Sequence, residues 1–348
     1  MTDLNPADHD ADQPRRLEPG LPLEIASPLA PFGGERPPAP EWFTQVIQHE
    51  PERSRIPVLG AEIELLTWGE MGRPGLIFVH GNTAHADWWS FIAPFFAATH
   101  RVAALSVSGM GGSDWRDAYS FETFASEIHA AAQAAGLYAS GKPPVYIGHS
   151  FGGAQVYFSA ARHPERMSAC LLVDSGFGGP PSPEERERMN REAIAAGRPP
   201  NPWREPRGVP HRVYPSLEMA LTRFRFMPPQ VPGNLYIADF IARRSLKRAP
   251  MPEGGEAGWT WKFDPSLWSK LDRSGWDKPA KSVAVPLVHI YGDRSAIINR
   301  QASNGGQPDP LGPDIPRIII PDSEHHVMVD QPLALVAALR AVLALWGL

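Results

Sequence analysis

Gly148-His149-Ser150-Phe151-Gly152, followed by a further glycine at 153, sits between an apolar run, Val145-Tyr146-Ile147, and a small-residue stretch of helical character over 154–161. A strand that reverses within two residues and launches a helix forces its central residue into strained backbone geometry. Glycine on both sides removes the Cβ clashes that would forbid such a turn. Read in this way, the stretch holds the Ser150 hydroxyl out at the tip of a strand. The pentapeptide by itself also fits an ordinary glycine-rich strand-to-helix turn, so the surrounding chain decides its meaning.

Outward from it, strand and helix signals alternate. Residues 61–68 carry the half-exposed alternation of an early antiparallel strand. Fully apolar runs at 76–79, 102–105, 145–147, 171–173, 287–291 and 318–320 read as buried strands of a mostly parallel sheet, separated by helical patterns such as 121–135. This is an α/β layout, a doubly wound sheet. Core residues are expected over 41–175 and 282–348. Between them, 176–281 breaks the alternation into helical patches near 183–197, 215–226 and 234–246, and is expected to form a helical cap inserted after the sixth strand. Five of the eleven tryptophans lie there: Trp203, Trp259, Trp261, Trp268 and Trp276. Most are expected to fix the insertion to the core, with any remainder lining an apolar pocket. Residues 1–40 hold nine prolines and seven acidic residues against three arginines. The expectation is an extended arm, with contact to the domain or to a second copy through Leu21, Leu23, Ile25 and Phe32 as the alternative.

The 348 residues suffice for one large domain with an insertion. A net charge of -5 supplies no basic stripe for nucleic acid, so no such partner is expected. The single cysteine, Cys170, excludes an internal disulfide and reads as a small buried hydrophobe. The N-terminus has no apolar signal core and no later stretch is apolar enough to span a bilayer, so a cytoplasmic protein without membrane contact is expected.

A serine hydroxyl is a poor nucleophile near neutrality and needs a base, itself oriented by a third group. The segment Ser323-Glu324-His325-His326-Val327-Met328-Val329-Asp330-Gln331-Pro332 follows the last strand run and precedes a terminal helix over 333–345. Here the chain resembles the α/β-hydrolase family, whose base usually stands five residues before an acidic residue that is itself two before a proline. His325 fits that spacing to Asp330 and Pro332, whereas His326 is one residue out of register and is expected to pack or hydrogen-bond locally. Phe78-Val79-His80-Gly81-Asn82 resembles the family's oxyanion loop, which implies that the backbone N–H groups of Asn82 and Phe151 face the oxyanion. Ser108-Gly109-Met110-Gly111-Gly112-Ser113-Asp114 is similar to its glycine turn after the fourth strand.

The chain departs from the family at the acid. Members most often carry aspartate three residues after the glycine ending the seventh strand, where this chain has Ser295, and Asp293 is displaced by two. A minority place it at the end of the sixth strand, where Asp174 stands. Asp174 is therefore the first candidate and Asp293 the alternative.

The resemblance implies a cofactor-independent serine hydrolase acting on a carboxylic ester or lactone. The nucleophile is Ser150, not the aspartate of the dehalogenase and epoxide hydrolase branches. Hydrolysis of carbon–carbon bonds is the alternative within the fold, and a ligand-binding or signalling protein on the same scaffold is the alternative outside it. No phosphate loop is present, and His80 with His85 lacks the carboxylate spacing of a metal site.

Overall fold

The apolar runs become strands because both of their faces are covered. In β3 (Gly75–Val79), Leu76 and Phe78 enter one hydrophobic core while Ile77 and Val79 enter another on the opposite side of the sheet. The same division holds in β5 (Val145–His149) and β6 (Ala169–Val173), where Cys170 is fully buried and burial pushes its thiol up. A strand buried on both faces has no polar side to alternate with, which is why these segments read as continuous hydrophobic runs.

The computed structural model describes residues 22–176, 187, 191, 210–252, 254–272, 283–298 and 311–348. With β1 (Glu52–Val58), β2 (Ala61–Trp68), β4 (Arg101–Leu105), β7 (Leu287–Gly292) and β8 (Arg317–Ile320), the strands form one sheet in the order β1-β2-β4-β3-β5-β6-β7-β8. Among the described strands of this sheet, β2 alone runs in the direction opposite to the rest. This is the mostly parallel, doubly wound α/β sheet expected. Helices α1 (Phe121–Ala134) and α2 (Phe151–Arg162) pack on one face and the terminal helix Pro332–Leu345 on the other.

β1 carries no signal in the sequence. It is an edge strand, exposed along most of its length, so it needs no apolar face and tolerates Pro57. Its hairpin to β2 turns on Leu59 and Gly60, both at positive φ, 47° and 78°. That is the twist a two-residue hairpin needs, achieved without the Asn or Asp that usually announces it.

Of the expected N-terminal arm, residues 1–21 lie outside the described residues. Residues 22–40 do not extend as an arm. They form a short helix, Leu23–Ala26, and a single 3-10 turn, Ala30–Phe32. Ala26 and Leu29 are buried, and Leu29 belongs to the main core cluster, whereas Leu23 stays largely exposed. The chain is tied down further by Arg243, whose Nη2 donates to the Gly34 carbonyl at 2.5 Å.

Between β6 and β7, the described residues include a helix at Leu217–Leu221, a helix α3 at Leu235–Arg244 and a hairpin pairing Leu246–Ala249 with Gly258–Trp261. The patch at 183–197, Trp203 and Trp276 lie outside the described residues, apart from Glu187 and Arg191. Trp259 and Trp261 pack against the core, and Trp268 lies 5.0 Å from the Phe151 ring, centroid to centroid. Among the described residues, no helix is long and apolar enough to cross a membrane.

Sterics at the end of β5 account for its glycines. A Cβ on Gly152 would lie 2.3 Å from the His80 carbonyl oxygen and 2.5 Å from that of Val79, and one on Gly148 would lie 2.5 Å from the Gly152 oxygen. Backbone cannot give way as a side chain can, so Gly152→Ala is expected to lower stability by about 2 kcal/mol or more. Urea unfolding checks this, and a variant as stable as the wild type contradicts the steric account.

Candidate active site

Parallel strands end together, so the loops that follow them share one edge of the sheet. Ser150 directly follows β5, Asp174 directly follows β6, and His325 lies five residues beyond the end of β8. Side chains as much as 175 positions apart in sequence are thereby brought to the carboxyl edge, where open α/β sheets bind their ligands.

Ser150 sits at φ 52° and ψ −120°, in a region that favours glycine, between the last residue of β5 and the first of α2. Its N–H donates to the Val173 carbonyl at 3.0 Å, which locks the turn to the neighbouring strand. The strained turn predicted from the glycine spacing is therefore present. The Ser150 Oγ lies 2.9 Å from His325 Nε2, and His325 Nδ1 lies 2.7 Å from Asp174 Oδ1. Both His325 and Asp174 are buried. With Nδ1 donating to a carboxylate, Nε2 is left as the acceptor facing the serine hydroxyl.

Three donors converge on Asp174. Besides His325, the Ser295 hydroxyl donates to Oδ1 at 2.6 Å and the Gly292 N–H donates to Oδ2 at 3.0 Å. Asp293 stands elsewhere. Its exposed carboxylate accepts from the Ser323 N–H at 3.1 Å, a bond that holds it below the usual carboxylate range. The hydrogen bond to His325 Nδ1 thus comes from the first candidate acid, and the alternative caps the loop leading to the histidine.

The loop over residues 80–82 lies against the turn. A Cβ on Gly81, the residue before the half-buried Asn82, would come within 3.2 Å of Ser150 Cβ and 3.0 Å of His149 Nδ1. Phe151 opens α2, and its ring packs on Phe121, Phe124 and Trp268. His80 holds the loop from within: Nδ1 donates to the Gly81 carbonyl at 2.7 Å and Nε2 accepts from the Val107 N–H at 3.1 Å. His85 bonds Ser245 Oγ at 2.9 Å, and among the described residues no three His, Cys, Asp or Glu side chains gather as a metal site would require.

Burial pushes the His80 imidazole down from 6.5 to about 4, partly offset by its bond to Gly81. An unfolded His80 therefore gains its proton near pH 6.5, whereas the folded one stays neutral until about 4. Stability is lost as pH falls through that window, by about 3 kcal/mol from this residue. Urea unfolding at about pH 7, 5.5 and 4 should show the midpoint falling, and a flat profile would contradict the assignment.

Two further residues hold the His325 segment in place, and sequence reasoning missed both. His149, inside the pentapeptide, donates from Nε2 to the His325 carbonyl at 3.0 Å. Burial, with the His325 imidazole beside it, lowers its basicity well below the usual range. Gln230 accepts from the His326 N–H at 3.0 Å and sits 2.5 Å from His326 Nδ1, while its amide donates to both oxygens of Asp330 at 3.1 and 3.0 Å. Asp330 also accepts from the N–H groups of Gly233 and Glu324. His326 is thus a buried structural partner, as its register implied, although its bond reaches across 96 residues and is not local.

A model of a family described as the alpha/beta hydrolase family matches residues 76–339. Lipase LipV of Mycobacterium tuberculosis is 28% identical over 113 residues, 32% of this chain and 41% of that protein, so the match spans about two fifths of the relative's length. The pimeloyl-[acyl-carrier protein] methyl ester esterase of Edwardsiella ictaluri is 28% identical over 274 residues, covering 77% of this chain and 92% of that one. Among solved structures, the thioesterase domain from the curacin biosynthetic pathway superposes with a TM-score of 0.60 over 83% of this chain and 98% of its own, at 21% identity. At that identity the likeness speaks to the fold.

Proposed function

Because this chain belongs to the alpha/beta hydrolase family, we propose that it is a cofactor-independent serine hydrolase that cleaves a carboxylic ester or lactone through an acyl-enzyme. The observation that carries this reading is the unbroken hydrogen-bonded chain from Ser150 Oγ through His325 to Asp174, at 2.9 and 2.7 Å.

In this reading Ser150 Oγ attacks the carbonyl carbon while His325 Nε2 takes its proton. Asp174 keeps the proton of the neutral imidazole on Nδ1 and stabilises the imidazolium as it forms. The carbonyl oxygen becomes an anion held by the Asn82 and Phe151 N–H groups, each such donor lowering the barrier by about 3 to 4 kcal/mol. Collapse breaks the carbon–oxygen bond, and the departing alkoxide takes the proton back from His325. Water then repeats the sequence on the acyl-enzyme, releasing the acid and restoring Ser150. The names of the two relatives, a lipase and a methyl ester esterase, support an ester as the substrate class. The segment between β6 and β7 fits the role of a cap, since Trp268 from it packs on Phe151 beside the serine.

A ligand-binding protein on the same scaffold has no need of a carboxylate bonded to the histidine, so the bond between Asp174 and His325 supports the hydrolase reading over that one. A fluorophosphonate probe tests the proposal directly. Mass spectrometry is expected to find one modified residue, Ser150, and labelling elsewhere or none at all overturns it.

A further inference from the structure

Helix α3 is buried over most of its length, with Ile237, Ala238, Ile241 and Ala242 fully enclosed and Asp239 and Phe240 nearly so. Arg243 grips Asp239 one turn earlier, its Nε donating to the two carboxylate oxygens at 2.9 and 2.8 Å. A helix of ten residues spans about 15 Å. Packed in this way it is a rigid element of the core, not a flap over the site.

Its two ends are held by different parts of the molecule. At the amino end, Asn234 Nδ2 donates to the carbonyls of Val329 and Asp330 at 2.9 and 3.0 Å, and the Gly233 N–H donates to Asp330 Oδ1 at 3.0 Å. Asp330 Oδ2 accepts in turn from the N–H of Glu324, the neighbour of His325, at 2.8 Å. At the carboxyl end, Arg244 Nε lies 3.2 Å from Asp87 Oδ1, and His85 Nε2 lies 2.9 Å from Ser245 Oγ. The Ser245 hydroxyl donates to the Ile241 carbonyl at 2.8 Å, so the imidazole supplies the proton of that bond. Asp87 is buried and also accepts from Arg53 of β1 at 2.6 and 3.1 Å, which fixes this anchor to the sheet edge as well. His85 and Asp87 continue the loop over residues 80–82, which a bond from the Ala84 N–H to the Gly81 carbonyl at 3.3 Å folds back on itself.

The two anchored segments also touch directly, where the Trp88 and His326 rings lie 5.5 Å apart. A ring contact resists closer approach but leaves sliding open, whereas hydrogen bonds weaken steeply when lengthened or bent. Packing therefore sets how near the two segments come, and α3 sets how far apart they stay.

Resting on the roles given above to Ser150, His325 and Asn82, we propose that α3 ties the His325 segment to the oxyanion loop, and that Asn234 and Arg244 are the positioning residues through which it fixes the imidazole and the oxyanion donors relative to one another. Attack on the carbonyl needs both at once, because the proton leaves Ser150 Oγ as negative charge reaches the carbonyl oxygen. The part of the insertion nearest the serine is pinned separately. Shortly before Trp268, the Asp264 N–H donates to the Gly109 carbonyl at 2.7 Å and the Asp264 carboxylate accepts from the Tyr119 hydroxyl at 2.8 Å. Loss of the tie is therefore expected in kcat more than in KM.

The test uses the full chain, an aryl ester and a double-mutant cycle. Asn234→Ala and Arg244→Ala are each expected to lower kcat about tenfold, with KM moving less than about twofold. The two residues lie about 15 Å apart, a separation at which independent effects multiply, here to about a hundredfold. A tie cut at one end has nothing further to lose at the other, so the double variant should stay within about twofold of the less active single one. Arg244→Lys, which keeps a cation for Asp87, should return to within about threefold of wild type. Thermal unfolding of each variant identifies any loss of fold, and Ser245→Ala, which removes only the bond from His85, takes the place of Arg244→Ala in the cycle if that variant is unstable. The inference is overturned if either single variant matches wild type in kcat, or if the losses multiply. Ser150→Ala, run in parallel, separates the two levels. If it retains activity the underlying reading falls, and if it is inactive while the losses at the two ends multiply, only the tie falls.

Discussion

Ser150→Ala is expected to abolish hydrolysis of aryl esters, with kcat reduced by about a millionfold, or about 8 kcal/mol in the barrier. The size of the effect follows from what alanine removes. Without Oγ there is no atom to form the acyl-enzyme, and the imidazole is left with a water that it can activate only poorly. The oxyanion donors and the fold around them stay, so substrate binding should survive, and KM or a competitive inhibition constant should change little. The turn itself should be no worse off, since alanine needs no more room than serine at a position already held by the Ser150 N–H bond to Val173. Steady-state kinetics with a short-chain aryl ester, beside urea unfolding of the same preparation, checks both statements. Activity within about a hundredfold of wild type would exclude Ser150 as the nucleophile.

Asp174→Asn carries the second largest expected effect, a fall in kcat of about a thousandfold, against little change for Asp293→Asn. Among the described residues, the hydrogen-bond partners of the Asp174 carboxylate are all donors: His325 Nδ1, the Ser295 hydroxyl and the Gly292 N–H. An asparagine there must aim its NH2 at one of them. Turned toward Oδ1's partners, it drives the histidine proton to Nε2, where it blocks acceptance from Ser150. Turned toward Gly292, it faces one buried donor with another and still leaves the imidazolium without a counter-charge. Asp293 is exposed and bonds only backbone near His325, so its amide should keep kcat within about fivefold of wild type. Kinetics on the two variants decide between the carboxylates, and equal losses would contradict the geometry.

The choice between these two aspartates shows where reading the sequence stops. Strand runs and turn glycines place each acid at the end of a strand, because burial on both faces and sterics leave marks on composition. Nothing in the sequence says which carboxylate meets the imidazole, since that depends on the relative depth of two loops more than 100 residues apart. Ser150 and His325 were legible for the opposite reason, as each belongs to a local pattern with few alternatives. β1 escaped because an exposed edge strand needs no apolar face, and its turn has Leu59 where Asn or Asp usually stands before the glycine. Residues 22–40 escaped as well. Their many prolines argue against a helix or strand but not against packing, and Leu29 joins the core cluster with Ala39 packed against it. Gln230 had no signal at all, because a glutamine in an irregular stretch gains its meaning only from Asp330 and His326 across about a hundred positions.

That last contact bears on how such a chain can be re-engineered. The connection between β6 and β7 looks like an interchangeable module, since it is one contiguous stretch joined to the core at two points. Yet Gln230, Gly233 and Asn234 within it grip Asp330, Val329 and His326 by side-chain and backbone bonds, directly beneath the loop that bears His325. A transplant that replaces the whole stretch removes part of what supports His325. Swaps made to change substrate preference therefore need their boundary drawn to retain residues 230–234, so that what is exchanged is the covering and not the footing.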